Sequence, residues 1–201
     1  MSALTANKVY TKLVEKGNEI YAHALVEEDR WKKTGAMLGL GLCYAAAEAF
    51  GKIPAPYWEI NLGICYGFSA AGAALFGIPG GCVSALIGEI AGELFGNGSL
   101  EPALILASMC SGLAAGGMYR KTSEPGPFGK EKWKAFILWT LLGQAVGFLG
   151  VYAIISSASF AECFWRFFYN SVCAVFAGGL ILMALQEGQS SSSSSSSSKA
   201  L

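Results

Sequence analysis

The chain has 201 residues, of which 53% are hydrophobic and only 14% are charged, and its mean hydropathy is +0.45. This charged fraction is well below that of an ordinary soluble domain, so the composition indicates a membrane protein. The formal net charge is zero, which excludes the overall basic field that attracts nucleic acid.

The N-terminal segment, residues 1–32, is highly charged and contains no central apolar run of the kind found in a signal peptide. Within residues 5–29, apolar side chains recur at spacings of three, four and seven. This spacing predicts an amphipathic helix that lies on a membrane surface or against a partner protein.

Residues 33–187 are predicted to form a six-helix transmembrane domain, since a spanning helix needs about 20 apolar residues. The expected spans are 33–51, 58–77, 79–96, 101–119, 134–156 and 162–185. Residues 77–81, with Pro79 among glycines, predict a helix break and tight turn between the second and third spans. Residues 188–201 contain a serine run that predicts a disordered tail or a linker. The fold class is therefore all-α and polytopic.

Lysine and arginine cluster before the first span and after the fourth, and six crossings place both clusters on one side of the membrane. The positive-inside rule makes that side cytoplasmic. Both termini are then expected inside, in the plasma (inner) membrane.

No nucleophile with its base, phosphate-binding loop, dinucleotide fingerprint or metal-ligand spacing is present, so we expect neither an enzyme nor a cofactor. The third span instead has a small residue at every fourth position, which favours close helix packing. Glu89 and Glu93 lie beside this stripe. Because a buried carboxylate is costly in lipid, they are expected either in the bundle interior or hydrated at the outer end of the helix.

Polar and aromatic residues near the predicted outer face are candidate solute contacts. The segment from Pro54 to Glu59 is either a stiff lid or an interfacial anchor. Glu162 and Arg166, four residues apart, predict an ion pair. The candidate solute-binding residues are Trp58, Glu59, Glu89, Glu93, Trp139, Gln144, Trp165, Arg166 and Asn170.

The run IPAPYWEINLGICYGFSAAGAALFGIPGGCVSALIGEIAGELFGNG, followed by ALILASMCSGLAAGGMYRK, resembles the substrate-binding S components of energy-coupling factor (ECF) transporters. The similar features are a first span ending in Ile-Pro, the polar EINLG, the LFGIPGG turn into a helix with acids near its end, and the basic GGMYRK. They cover roughly residues 50–121. The third helix is also similar to the subgroup predicted to take up queuosine precursors.

The resemblance implies that the chain captures a vitamin-like solute from outside and delivers it inward. A separate membrane coupling protein and ATPase subunits would supply the energy. It implies a gate near Trp58 and Glu59, a pocket containing Trp165, Arg166 and Asn170, and partner docking through a small-residue face on the first helix. Gly41, Ala45 and Ala49 have that spacing, and Gly35, Gly39 and Cys43 offer an alternative face.

Two other functions remain open from the sequence. The chain is alternatively a structural subunit of a larger membrane complex, in which the glycine ladders serve assembly. A third interpretation is a rotor-type, ion-carrying proteolipid, because PGPFGK is followed by a glycine-rich helix containing Gln144. This third interpretation is weakened by the amide at the position where that family has a carboxylate.

Overall fold

The computed structural model describes residues 29–51, 53–54, 61–124 and 128–197. The chain divides into two compact units, Met1–Ala36 and Met37–Leu201. In the smaller unit only residues 29–36 are described; they are helical and contain an Asp29–Lys33 ion pair. The predicted amphipathic helix of residues 1–32 falls almost entirely outside the described residues.

The larger unit is built from helices, with one minimal strand pair. Helix α1 comprises residues 37–50, and strands β1 (Ile53–Pro54) and β2 (Asn61–Leu62) pair antiparallel. The remaining elements are α2 (Tyr66–Gly96), α3 (Pro102–Ala115), a 3-10 turn (Gly116–Met118), α4 (Tyr119–Thr122), α5 (Lys130–Gln144), a π-helix (Ala145–Tyr152), α6 (Ala153–Ser156) and α7 (Phe160–Ser197).

Four of the described helical segments are long and apolar enough to cross a membrane, which indicates a membrane protein built almost entirely from helices. They are Tyr66–Gly96, whose backbone is broken at Gly77, Pro102–Thr122, Lys130–Ser156 and Phe160–Leu185. The sequence-based count of six spans stays a prediction. The backbone of α7 continues as helix to Ser197, into the serine-rich segment where a disordered tail was predicted. A helical hydrogen-bond ladder is local and needs no packed core.

Helix α2 is a hairpin, because its backbone reverses at Gly77. This residue has φ 71° and ψ −152°, a conformation that glycine adopts without a Cβ clash. A Cβ built on Gly80 would lie 2.2 Å from the carbonyl oxygen of Gly72, although eight residues of straight helix span about 12 Å. The break predicted at residues 77–81 is thus confirmed. We call residues 66–76 the first arm and residues 78–96 the second arm.

The second arm packs between α1 and α3 through its small residues. On the α3 side, a Cβ on Gly81 would lie 2.3 Å from the carbonyl oxygen of Gly112. On the α1 side, Gly88 lies under the ring of Tyr44 and Gly92 under the side chain of Glu48. The predicted ladder therefore brings helices close together, as glycine does at membrane helix interfaces.

The two ends of the bundle differ in charge. The hairpin turn packs against the end of α3, where Gly77 meets Tyr119 and Ile78 meets Gly116. Arg120, Lys121, Lys130, Lys132 and Lys134 follow there, and we call this the basic end. At the opposite, acid-rich end, the carboxyl groups are those of Glu48, Glu89, Glu93, Glu101 and Glu162.

Candidate functional site

Glu89 lies at the centre of a hydrogen-bonded cluster inside the bundle. Its side chain is fully buried, and its Oε1 accepts hydrogen bonds from Tyr44 Oη at 2.6 Å, Tyr66 Oη at 2.9 Å and Ser108 Oγ at 2.5 Å. We call these four residues the Glu89 cluster. They come from α1, the first arm, the second arm and α3, so four helical segments fix the position of one carboxyl oxygen.

The second carboxyl oxygen of Glu89 has a different environment. Oε2 is buried and has no hydrogen-bond partner in the described part of the chain. A buried polar atom without a partner costs free energy, on the order of 1–3 kcal/mol and more for a charged group. Such atoms are rare in native proteins, where strain, a catalytic role, an ordered water or an ion accounts for them.

Aromatic rings surround the Glu89 cluster. The rings of Tyr44 and Tyr66 meet edge to face with centroids 5.6 Å apart, and those of Tyr66 and Phe148 meet in the same way at 5.4 Å. Phe148 projects from the π-helix, a distortion that often occurs at functional sites. Because these rings exclude water, electrostatic interactions of the Glu89 carboxyl group are strong.

Two other acidic side chains at this end, those of Glu48 and Glu93, accept hydrogen bonds from within the chain. Glu48 Oε2 accepts a hydrogen bond from Cys65 Sγ at 3.0 Å. Glu93 is 1% exposed, and its Oε2 accepts the backbone N–H of Glu101 at 2.5 Å. Both Glu89 and Glu93 therefore face the bundle interior, one of the two placements expected from the sequence. The hydrated alternative is not what the structure shows.

Glu162 and Arg166 form the predicted ion pair, with Arg166 Nε 3.2 Å from Glu162 Oε1. The Arg166 guanidinium also lies 4.9 Å from the centre of the Tyr152 ring. Tyr152 Oη lies 3.1 Å from Glu101 Oε1 and 3.4 Å from Glu162 Oε1. These residues form a second polar layer at the acid-rich end.

Gln144, the last residue of α5, contacts α3 one turn beyond Ser108. Its Nε2 donates to Ser111 Oγ at 3.0 Å, and Ser111 follows Ser108 by three residues on the same face of α3. Gln144 Oε1 is buried and, like Glu89 Oε2, lacks a partner among the described residues. Asn170 is also buried, and its Oδ1 lies against Gly63, close to where Tyr66 begins the first arm.

Two of the predicted site residues lie elsewhere. Trp139 packs against Gly117 at the basic end, because α5 runs from that end toward Gln144. Trp165 is half-buried and stacks on Tyr169, with centroids 5.5 Å apart. Trp139 therefore lies toward the opposite end of the bundle from Arg166, whereas Trp165 directly precedes Arg166 in α7. Trp58 and Glu59 lie outside the described residues.

The predicted docking face on α1 is used for internal packing. Gly41 lies against Ile87, Ala45 is buried, and Ala49 lies against Gly96 of the second arm. The alternative face of α1 is open with respect to the described residues: none of them lies within 4 Å of a Cβ built on Gly39, and Cys43 is exposed.

The sequence analysis missed three members of the Glu89 cluster, Tyr44, Tyr66 and Ser108. Their signal was a hydroxyl group inside an apolar span, which is also common where a side chain bonds its own helix backbone. Only the tertiary contacts distinguish these hydroxyl groups from those that bond their own helix backbone.

Searches of protein-family models, curated proteins and solved structures find no match to this chain.

Proposed function

We propose that this chain is the solute-capture subunit of a membrane transporter. It would bind a small vitamin-like solute from outside at the Glu89 cluster and deliver it inward. A separate membrane coupling protein and ATPase subunits would supply the energy, since the sequence contains no phosphate-binding loop of its own. The resemblance to S components of ECF transporters supports the same assignment.

One observation carries the proposal: a fully buried carboxyl group has three donors on one oxygen and an unpartnered second oxygen. Ionisable residues inside membrane helices are costly and usually functional. Helix packing alone would be served as well by apolar residues, which often replace buried ions without loss of stability. The hydroxyls from separate helices hold the carboxyl group ready for a ligand.

The charge distribution supports an orientation for capture. Arg120, Lys121 and three lysines of α5 lie at the basic end, which the positive-inside rule assigns to the cytoplasm. The Glu89 cluster then lies toward the outer half of the membrane. This arrangement suits uptake from outside across a plasma membrane.

The alternative function is a structural subunit of a larger membrane complex. The open face of α1 at Gly39 and Cys43 favours it, because small exposed residues let another membrane helix approach closely. The two functions differ in one outcome: an assembly subunit retains partner proteins but no solute.

The test is native mass spectrometry of the full-length chain after mild detergent extraction from its own membranes. We expect one small solute per chain, together with a coupling protein and ATPase subunits in part of the preparation. Recovery of neither solute nor ATPase subunits would overturn the proposal. Recovery of other membrane proteins without a solute would favour the assembly function instead.

A further inference from the structure

Among the described residues, the acid-rich end has more acidic side chains than basic ones. Among the described residues there, five carboxyl groups face one guanidinium group. The five are those of Glu48, Glu89, Glu93, Glu101 and Glu162, and the cation is Arg166. Arg166 is paired with Glu162 and stacked on Tyr152, so it is already engaged. An anionic solute at Glu89 Oε2 would be repelled by the ionised carboxylate itself.

Of the four buried side-chain atoms without a partner in the described chain, two are acceptors and two are the hydroxyl oxygens of Thr140 and Ser171, which can both donate and accept. Glu89 Oε2 and Gln144 Oε1 are both buried without a partner in the described chain, on side chains held by Ser108 and Ser111. With Glu89 ionised, the group that completes this site is a donor. A protonated amine carries up to three N–H donors and no acceptor, which matches two acceptors in an acidic setting.

We propose that the captured solute is an organic cation whose protonated amine binds Glu89 Oε2 beside the rings of Tyr44, Tyr66 and Phe148. This inference rests on the proposed function, because it names the solute class of the same site. Pairing the ammonium with the carboxylate leaves no net charge in the membrane interior, where either ion alone is costly.

The surroundings favour an organic amine over a metal ion. Mg²⁺ and Ca²⁺ take six to eight oxygen ligands, whereas the hydroxyls of Tyr44, Tyr66 and Ser108 all point to Glu89 Oε1 rather than to a shared centre. Aromatic rings attract organic cations through their π-electrons and provide apolar contact for the rest of the molecule.

The test uses benzylammonium as the probe, with benzyl alcohol and benzoate as uncharged and anionic counterparts of the same shape. Each probe is added to the full-length chain in detergent micelles at constant ionic strength, and the Tm is recorded. We expect benzylammonium to raise the Tm, and the two counterparts to leave it unchanged. The Tm is also recorded with NaCl or KCl in place of the organic probes.

The matched variants are Glu89→Gln and Glu131→Gln. Glu131 is an exposed acid at the basic end, paired with Lys134, so its loss controls for a change in net charge. We expect Glu89→Gln to weaken benzylammonium binding about 30-fold or more, as truncating one partner of a buried charge pair does. Glu131→Gln should bind as the native chain does. If Glu89→Gln does not fold, Tyr66→Phe should still lower the affinity.

Three results would overturn the inference. Benzyl alcohol or benzoate could stabilise the chain as well as benzylammonium does, Na⁺ or K⁺ alone could produce the whole shift, or no ammonium could bind. A failure of the organic-cation inference can be distinguished from a failure of the proposed transport function. A solute that co-purifies but carries no cationic nitrogen refutes the cation class and leaves solute capture standing, whereas the absence of solute and ATPase subunits refutes capture itself.

Discussion

The second arm of the hairpin uses glycine differently on its two sides. Toward α3, Gly81 meets Gly112, and two backbones come into contact. Toward α1, Gly88 and Gly92 lie opposite the large side chains of Tyr44 and Glu48. The first interface gives close packing, and the second leaves room for the polar groups around Glu89. A stripe of small residues in a sequence therefore does not predict whether it forms a backbone contact or accommodates a large side chain.

Adding a methyl group at the backbone contact should have the largest effect on stability. In Gly112→Ala the new Cβ would lie 2.3 Å from the carbonyl oxygen of Gly81, so the helices must move apart. We expect a loss of about 3 kcal/mol, the upper part of the usual range for overpacking, and a much lower Tm in detergent. A Tm equal to that of Gly39→Ala, where the new Cβ would contact no described residue, would contradict close packing at this interface.

The same change on the α1 side should weaken binding as well as stability. In Gly88→Ala the new Cβ would lie 2.2 Å from Cγ and Cδ1 of Tyr44 and 2.6 Å from its Cβ, so the whole side chain and the α1 backbone that carries it must shift. The shift moves the Tyr44 hydroxyl away from Glu89, and we expect a loss of about 2 kcal/mol of stability. We expect weaker solute retention by native mass spectrometry.

A double variant tests whether Gly88→Ala weakens solute retention through the Tyr44 hydroxyl group. The parent protein for this test is Tyr44→Phe. In that background Gly88→Ala should cause no further loss of solute, because the two changes then act through one interaction. A further loss would show that Gly88 acts through something other than the Tyr44 hydroxyl.

Removing the guanidinium group should have a smaller effect. In Arg166→Gln the partly buried pair with Glu162 is lost, at a cost of about 1 kcal/mol at most. Because Arg166 repels a cationic solute, we expect benzylammonium affinity to stay the same or to rise. Loss of solute retention with an unchanged Tm would mean that Arg166 holds an anionic group of the solute.

The smallest effect is expected at Gly39. No described residue lies within 4 Å of a Cβ built here, so Gly39→Ala should stabilise the helix by about 0.5–1 kcal/mol, seen as a slightly higher Tm. Solute retention should be unchanged. Reduced recovery of the coupling protein with Gly39→Leu would indicate that this face of α1 is a docking surface, whereas unchanged recovery would argue against it.

Local chemistry was sufficient to predict parts of this molecule. The break at Gly77 followed from glycine and proline in an apolar stretch, and the Glu162–Arg166 pair followed from helical spacing. Burial of Glu89 and Glu93 in the interior was one of two options, and the cost of charge in lipid made it reasonable.

Contacts between distant parts of the chain could not be predicted in this way. Tyr44 and Ser108 are separated from Glu89 by 45 and 19 residues, and only the hairpin and the packing of α1 and α3 bring them together. For the same reason Gly41, Ala45 and Ala49, which have the spacing of a docking face, pack internally. Hydropathy likewise did not indicate that Trp139 packs against Gly117, toward the basic end.

The most direct test of the central claim is solute retention by Glu89→Gln, measured by native mass spectrometry beside the native chain and Glu131→Gln. If the Glu89 cluster is the capture site, the native chain and Glu131→Gln retain the same solute and Glu89→Gln loses it while remaining folded and monodisperse. Equal retention by all three proteins would contradict the account.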